Sequence, residues 1–406
     1  MRVVITGMGA VSCLGVGLKN IARCLQQGHS GIGVDPERVR HGFRSPLSGV
    51  VPEINPRDYV TRRQLKTMGQ PARWAVVAAS EALDNAGVSR EHWADPRSGV
   101  VVGNDSCALP AVETAASVLE HGETRYLGSG KVMQAMTSTV SMNLGTWLGV
   151  QGASWSVGAA CASGAHALGQ AFLLIKAGLQ DRVLCGGAQE VNWQAMASFD
   201  ALGAFARHGE DPTAASRPFA ADRDGLVPSG GAAMLVLESL DSARARNAPI
   251  VAELCAYGFS CDGGHLTQPD GAGALRAMNQ CLQQGSIAPS DVDYINAHAT
   301  GTTLGDLSEG KAILSLFGCE GPLVSSTKSM TGHECWMAGA SEVVYSCIMM
   351  QGGFIAPNIN LKEIEPALAG LKVISSTQEK RVKRFLSNSF GFGGTNASLL
   401  CAAFEG

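Results

Sequence analysis

Charge is scarce in this chain. Asp, Glu, Lys and Arg make up 16% of its 406 residues, against roughly a quarter in an average soluble protein. The formal net charge is −4, and no long run of one sign occurs. Both facts argue against a general nucleic-acid binder. Aromatics are few as well, at 6%. No stretch approaches the ~20 apolar residues of a membrane-spanning helix. The opening "MRVVITGMGAVSCLG" lacks the apolar core of a secretory signal and reads as a strand entering a glycine turn. The twelve cysteines form no CxxC pair and no compact framework. They read as reduced thiols of a soluble, cytoplasmic protein.

The usual cofactor signatures are missing too. "GMG" after the first strand lacks the third glycine of a dinucleotide fingerprint. "GSGK" (128–131) lacks the earlier glycine of a phosphate loop, and Val132 stands where Ser or Thr belongs. No histidine or cysteine cluster has zinc-ligand spacing.

What is present is glycine, 50 residues, and a hydrophobic content of 45%. That suffices for a large buried core with many tight turns. Strand-like runs recur at 2–7, 98–103, 153–158, 181–187 and 232–238, with helix-like segments such as "ARWAVVAASEALDNAG" between them. The alternation predicts an α/β architecture. After about Ala248 a second series begins with similar element order, so the chain divides into halves 1–247 and 248–406. "SVGAACASGA" and "SNSFGFGGTNAS" look like counterparts in the two halves, which points to a distant internal duplication. No low-complexity linker separates them, and one compact unit is expected.

One short stretch raises a chemical question. "SVGAACASGAHALGQAF" (156–172) sets Cys161 among small residues where an extended run becomes a helix. A lone cysteine is ordinarily a small core residue. The clearing made by Gly158, Gly164 and the alanines favours a nucleophile instead. The apolar spacing through Ala165, Leu168, Phe172 and Ile175 places Cys161 in the first helical turn, where the helix N-terminus favours the thiolate.

His298 in "NAHATGTTLGD" and His333 in "TKSMTGHECWMAG" both follow strand-like runs and sit in loops of Thr, Ser and Gly. Alone, either reads as a structural histidine; two in like settings beside a candidate nucleophile read as chemistry. Lys328 and Glu309 are either a solvated surface pair or a buried pair that tunes the site. In "SNSFGFGGTNAS" (387–398), Gly391, Gly393 and Gly394 bracket Phe392, a loop able to bring a backbone N–H against a ligand.

Taken together, and in this order, the cysteine elbow, "HATGT", "TKSMTGH" and "GFGGTN" resemble the β-ketoacyl-acyl-carrier-protein synthases of types I and II, in the thiolase-like superfamily. The resemblance runs nearly the whole chain. It implies a five-layered αβαβα fold of two similar halves, and an acyltransferase that condenses an acyl group with malonyl carrier protein. It implies a Cys161–His298–His333 triad with Lys328 ordering the site beside Glu309. It also implies an oxyanion site from the backbone N–H groups of Cys161 and Phe392. Thr300 and Thr302 match positions that bind the pantetheine arm. Phe390 gates the acyl pocket, which Phe199 and Cys107 are expected to line. No metal or cofactor of its own is implied, since the phosphopantetheine arrives on the acyl carrier protein. The partners implied are that carrier protein and a second ketosynthase chain, identical or catalytically inactive. Arg62, Arg63, Lys66 and Arg207 are the candidate docking cations, and Met133 and Met136 the candidate interface residues.

The sequence departs from the family in two places. "HECWMAGAS" puts Glu334, Cys335, Trp336 and Met337 where smaller or aliphatic groups are usual. "GNDSCALP" (103–110) puts Asn104, Asp105, Ser106 and Cys107 into a segment that is usually glycine-rich. These polar groups make a specialised synthase for polyene, aryl-capped or other secondary-metabolite chains the alternative expectation. A thiolase or type III synthase would need Asn or a second Cys in place of one histidine. An inactive chain-length factor would lack Cys161. A papain-like hydrolase would have no use for "GFGGTN".

Overall fold

The computed structural model describes residues 1–207 and 211–406. Its main sheet has eleven strands. Ten of them are β1 (Val3–Ser12), β2 (Ser98–Gly103), β3 (Ser154–Val157), β4 (Arg182–Gln189), β5 (Gly231–Ser239), β6 (Ala252–Cys261), β7 (Tyr294–Asn296), β8 (Leu323–Ser325), β9 (Arg384–Gly391) and β10 (Thr395–Ala402). The eleventh, Gly15–Val16, is a short hairpin partner of β1. The order across the sheet is β8-β7-β9-β10-β6-β1-β5-β4-β2-β3.

Cut between β6 and β1, this is one five-strand pattern used twice. In each half the third, second and fourth strands are parallel neighbours, and the fifth and first add antiparallel. The halves join through the antiparallel pairs Val3–Leu254, Val4–Glu253 and Ile5–Ala252.

Six helices complete the layers: α1 (Gln70–Ala86), α2 (Thr139–Leu148), α3 (Ser163–Lys176), α4 (Ala272–Gly285), α5 (Thr303–Phe317) and α6 (Ala338–Gly352). Side chains alternate across a strand, so each half-sheet has two apolar faces to cover. Val100, Val102 and Val236 pack outward against α1 and α2. Val101, Leu235, Phe385 and Leu399 face inward on α3 and α6. Ile295, Leu386 and Leu400 pack outward on α4 and α5. The result is the five-layered αβαβα arrangement, with α3 and α6 in the central layer. β1 is buried along its whole length because α1 lies directly on it; a Cβ at Gly9 would stand 2.1 Å from Ala78 O.

The duplication pairs the cysteine elbow with a segment other than the one expected. In each half the third strand leads to a 3-10 turn and then a central helix. The turn is Ala160–Ala162 before α3, and Cys335–Met337 before α6. Each opens on a non-glycine residue with positive φ, 45° at Ala160 and 44° at Cys335. The glycine loop at 391–394 instead joins the fourth and fifth strands of the second half, β9 and β10.

Candidate active site

Cys161 lies in that 3-10 turn, two residues before the start of α3 at Ser163 and not inside its first turn. The elbow is held by polar side chains. Ser163 Oγ accepts from Ala159 N at 2.8 Å, and Asp105 accepts from Ala160 N at 3.0 Å. Asn104 donates to Thr137 O at 2.7 Å, and Trp336 Nε1 donates to Ser106 Oγ at 3.2 Å. Asn104 Nδ2, Asp105 and Ser106 of "GNDSCALP" thus bond backbone and indole, while Asn104 Oδ1 is buried with no protein partner among the described residues.

The turn brings Cys161 to His298, at the end of β7, and to His333, after β8. The Sγ and one ring nitrogen from each histidine lie within 4.8 Å of one another. The two imidazoles meet edge to face, with centroids 5.2 Å apart. His298 Nδ1 and both ring nitrogens of His333 are buried and have no protein partner among the described residues. Buried polar atoms are seldom left so. His298, His333 and Cys161 all line one cavity of about 480 Å³.

Phe199, Thr300, Thr302, Glu309, Phe390 and Phe392 also line this cavity. The Thr300 and Thr302 hydroxyls are 3.1 Å apart. The cavity does not reach Cys107, which is buried at the start of the helix Ala108–His121. Lys328 is likewise absent from the lining. Its ammonium is paired with Glu342 on α6, both fully buried, and makes no bond to Glu309, the partner expected for it. Glu309 instead accepts the His298 backbone N–H at 2.9 Å and the Asn388 side chain at 3.2 Å. Glu342 was not foreseen. The available signal was a carboxylate inside the otherwise apolar run "GASEVVYSC". Asp306 was also missed; it gathers the N–H groups of Phe219, Thr300 and Gly301.

Burial dominates the electrostatics. It pushes the Cys161 thiol up to about 12, against Lys328 and the N–H groups of Phe392 and Cys161 itself, which all favour the thiolate. This direction is opposite to the one expected at a helix start, because desolvation outweighs the Lys328 charge and the two N–H groups. Burial and the Lys328 charge hold both histidines well below the usual imidazole value, so both are neutral. The same burial raises Glu309, Glu334 and Glu342 to about 7.

A buried thiol, two neutral imidazoles and a glycine loop on a duplicated five-layer fold define a condensing enzyme of the thiolase-like class. Comparison with known proteins agrees. Residues 1–243 match the Beta-ketoacyl synthase N-terminal domain and 251–362 its C-terminal domain. The chain is 39% identical over 414 residues to 3-oxoacyl-[acyl-carrier-protein] synthase 1 of Haemophilus influenzae, covering all of both. The crystal structure of a Beta-ketoacyl synthase from Burkholderia phymatum superimposes over all of both chains, with a TM-score of 0.94 and 35% identity. A type II polyketide ketosynthase in complex with its acyl carrier protein gives 0.89 and 29%, over 100% of this chain and 99% of the other. The chain belongs to the β-ketoacyl synthase family. It is an acyltransferase of the condensing type, and the family works with no metal or cofactor of its own. The identity to the 3-oxoacyl-[acyl-carrier-protein] synthase, 39%, exceeds that to the polyketide ketosynthase, 29%, so the specialised alternative is not favoured. Among the described residues no helix is long and apolar enough to cross a membrane.

Proposed function

We propose that this chain condenses an acyl group with malonyl-acyl carrier protein, and that Cys161, His298 and His333 carry the reaction. The observation that supports this most is the approach of one sulfur and two unpartnered imidazole nitrogens within 4.8 Å, in a single cavity. The Cys161 sulfur attacks the thioester of an acyl carrier protein. Its proton passes to an imidazole nitrogen in reach, and the pantetheine thiol leaves. The N–H groups of Cys161 and Phe392 hold the oxyanion. The acyl-enzyme splits one hard step into two. Malonyl carrier protein then enters, and a neutral imidazole donates one N–H to its thioester carbonyl. Carbon dioxide departs, the enolate carbon attacks the acyl-Cys161 carbonyl, and the sulfur is released. The product is two carbons longer.

Lys328 and Glu342 form a buried pair behind the site, while Glu309 fixes the His298 backbone. Thr300 and Thr302 take the pantetheine arm along the cavity wall, and Phe390 gates the acyl side. The carrier protein docks on exposed cations. Arg207 is the best placed of these, its guanidinium lying close to Gly203 on the cavity lining. Arg62, Arg63 and Lys66 are exposed on another surface segment. The chain divides functionally at 247/248, with the nucleophile in one half and both histidines in the other. It pairs with a second copy of itself along the edge strand β3, where Trp155 is exposed, and Met133 and Met136 are exposed as well. Twelve free thiols fit a reducing cytoplasm.

Intact-mass spectrometry of the protein mixed with acyl-loaded carrier protein tests the core of this reading. An adduct of the acyl mass on Cys161, absent from Cys161→Ala, is expected. No adduct with any acyl group would overturn it.

A further inference from the structure

Trp336 has no part in the reaction as derived above, yet it occupies a telling place. In the second half of the duplicated fold it holds the position that Cys161 holds in the first. Each is the middle residue of its 3-10 turn, directly after the positive-φ residue. The two turns pack back to back. A Cβ at Gly164, at the start of α3, would stand 3.0 Å from Trp336 O, so the second turn lies close against the helix that follows the first.

The Trp336 indole lies in one apolar cluster with Cys161, Cys335, Ala160 and Phe199. Its ring centroid is 6.3 Å from that of Phe199, and its Nε1 is fixed on Ser106. It is 7% exposed. Phe199 and Cys335 line the cavity, whereas Trp336 does not. The indole therefore fills the space behind the cavity wall next to the sulfur. Thr300, Thr302 and the exposed Leu266 also line the cavity. At about 480 Å³ it is sized for one ordinary small ligand, and it must also accept the pantetheine arm.

We propose that Trp336, pinned by Ser106, is the specificity-determining stop that restricts Cys161 to short acyl chains. The inference rests on Cys161 being the acyl-bearing residue. A short chain fits between the sulfur and the Phe199–Cys335 wall. A longer one has to displace a large ring that is packed against Phe199 and hydrogen-bonded to Ser106.

The test is the rate of acyl transfer to Cys161, followed by intact mass, from carrier protein loaded with butanoyl, octanoyl or dodecanoyl chains. For the wild type the butanoyl rate should exceed the dodecanoyl rate by about tenfold or more. Trp336→Ala should narrow that ratio about tenfold, and Trp336→Leu should fall between. Each variant's butanoyl rate is its own reference for correct folding, and the leucine variant keeps the test alive should alanine fail to fold. Equal wild-type rates for all three chains, or an unchanged ratio in the variants, would overturn the proposal while leaving Cys161 as nucleophile. Absence of every adduct in the wild type would overturn both.

Discussion

Lys328 and Glu342 form an ion pair sealed from solvent, each side chain 1% exposed. The pair ties the turn before His333 to α6. Removing one member of a buried pair strands the other charge, at a cost of about 3–5 kcal/mol. Glu342→Gln should therefore lower the unfolding free energy by about that amount in a denaturant titration. Glu309→Gln should cost only about 1 kcal/mol, because an amide oxygen still accepts the His298 N–H. Equal losses for the two would show that Glu309 shares the Lys328 charge.

The buried carboxylates make a signed prediction about pH. Glu334 is buried against Ser341 and Tyr345, and burial raises its carboxyl to about 7. Between roughly pH 4.5 and 7 the folded protein binds this proton more readily than the unfolded chain does. Its contribution to stability is fully present below the ordinary carboxylate value and is lost as pH rises through 7. His298 and His333 act in the opposite sense, since their folded values are depressed. The difference between wild type and Glu334→Gln isolates the carboxylate. The wild-type minus variant stability should fall from pH 5 to pH 8 in thermal unfolding. A difference independent of pH would mean that Glu334 is ionised throughout.

How much of this was legible in the sequence follows from the range of each interaction. The strands 98–103 and 232–238 were readable because burial on two faces leaves an unbroken apolar run. The elbow was readable because a clearing around Cys161 needs small residues in sequence. The Lys328–Glu342 pair was not, since fourteen residues and a helix start separate its partners, and only packing of α6 against β9 and α3 seals it. The upward push on the Cys161 thiol was hidden for the same reason: the helix terminus is local, while the burial comes from both halves. "SNSFGFGGTNAS" resembles the elbow in sequence because both are rich in small residues. The true counterpart, "HECWMAGAS", shares the elbow's backbone path but carries large side chains.

Strand β3 ends the sheet and leaves its Trp155 39% exposed. An uncovered edge of this kind pairs with another edge unless charge or a bulge prevents it. Sedimentation velocity at micromolar concentration should give twice the chain mass for the wild type. Trp155→Lys should shift the population toward the single chain, without changing the circular dichroism of the fold. A wild-type protein that sediments as a single chain would remove β3 as an interface.

The last prediction concerns which effect governs Cys161. An ordinary thiol titrates near 8.5, so its alkylation by iodoacetamide levels off above about pH 9. Burial pushes Cys161 up to about 12, so its alkylation should still be climbing at pH 10. The reaction should be read by peptide mass, with the exposed Cys319 as an internal reference. Lys328 is the leading charge that opposes burial at this sulfur. Lys328→Met should therefore slow Cys161 alkylation further at every pH while leaving Cys319 unaffected. A plateau for Cys161 near pH 7 would show a preformed thiolate. The backbone N–H groups of Cys161 and Phe392 would then outweigh desolvation, and the histidines would not need to take the proton as the sulfur attacks.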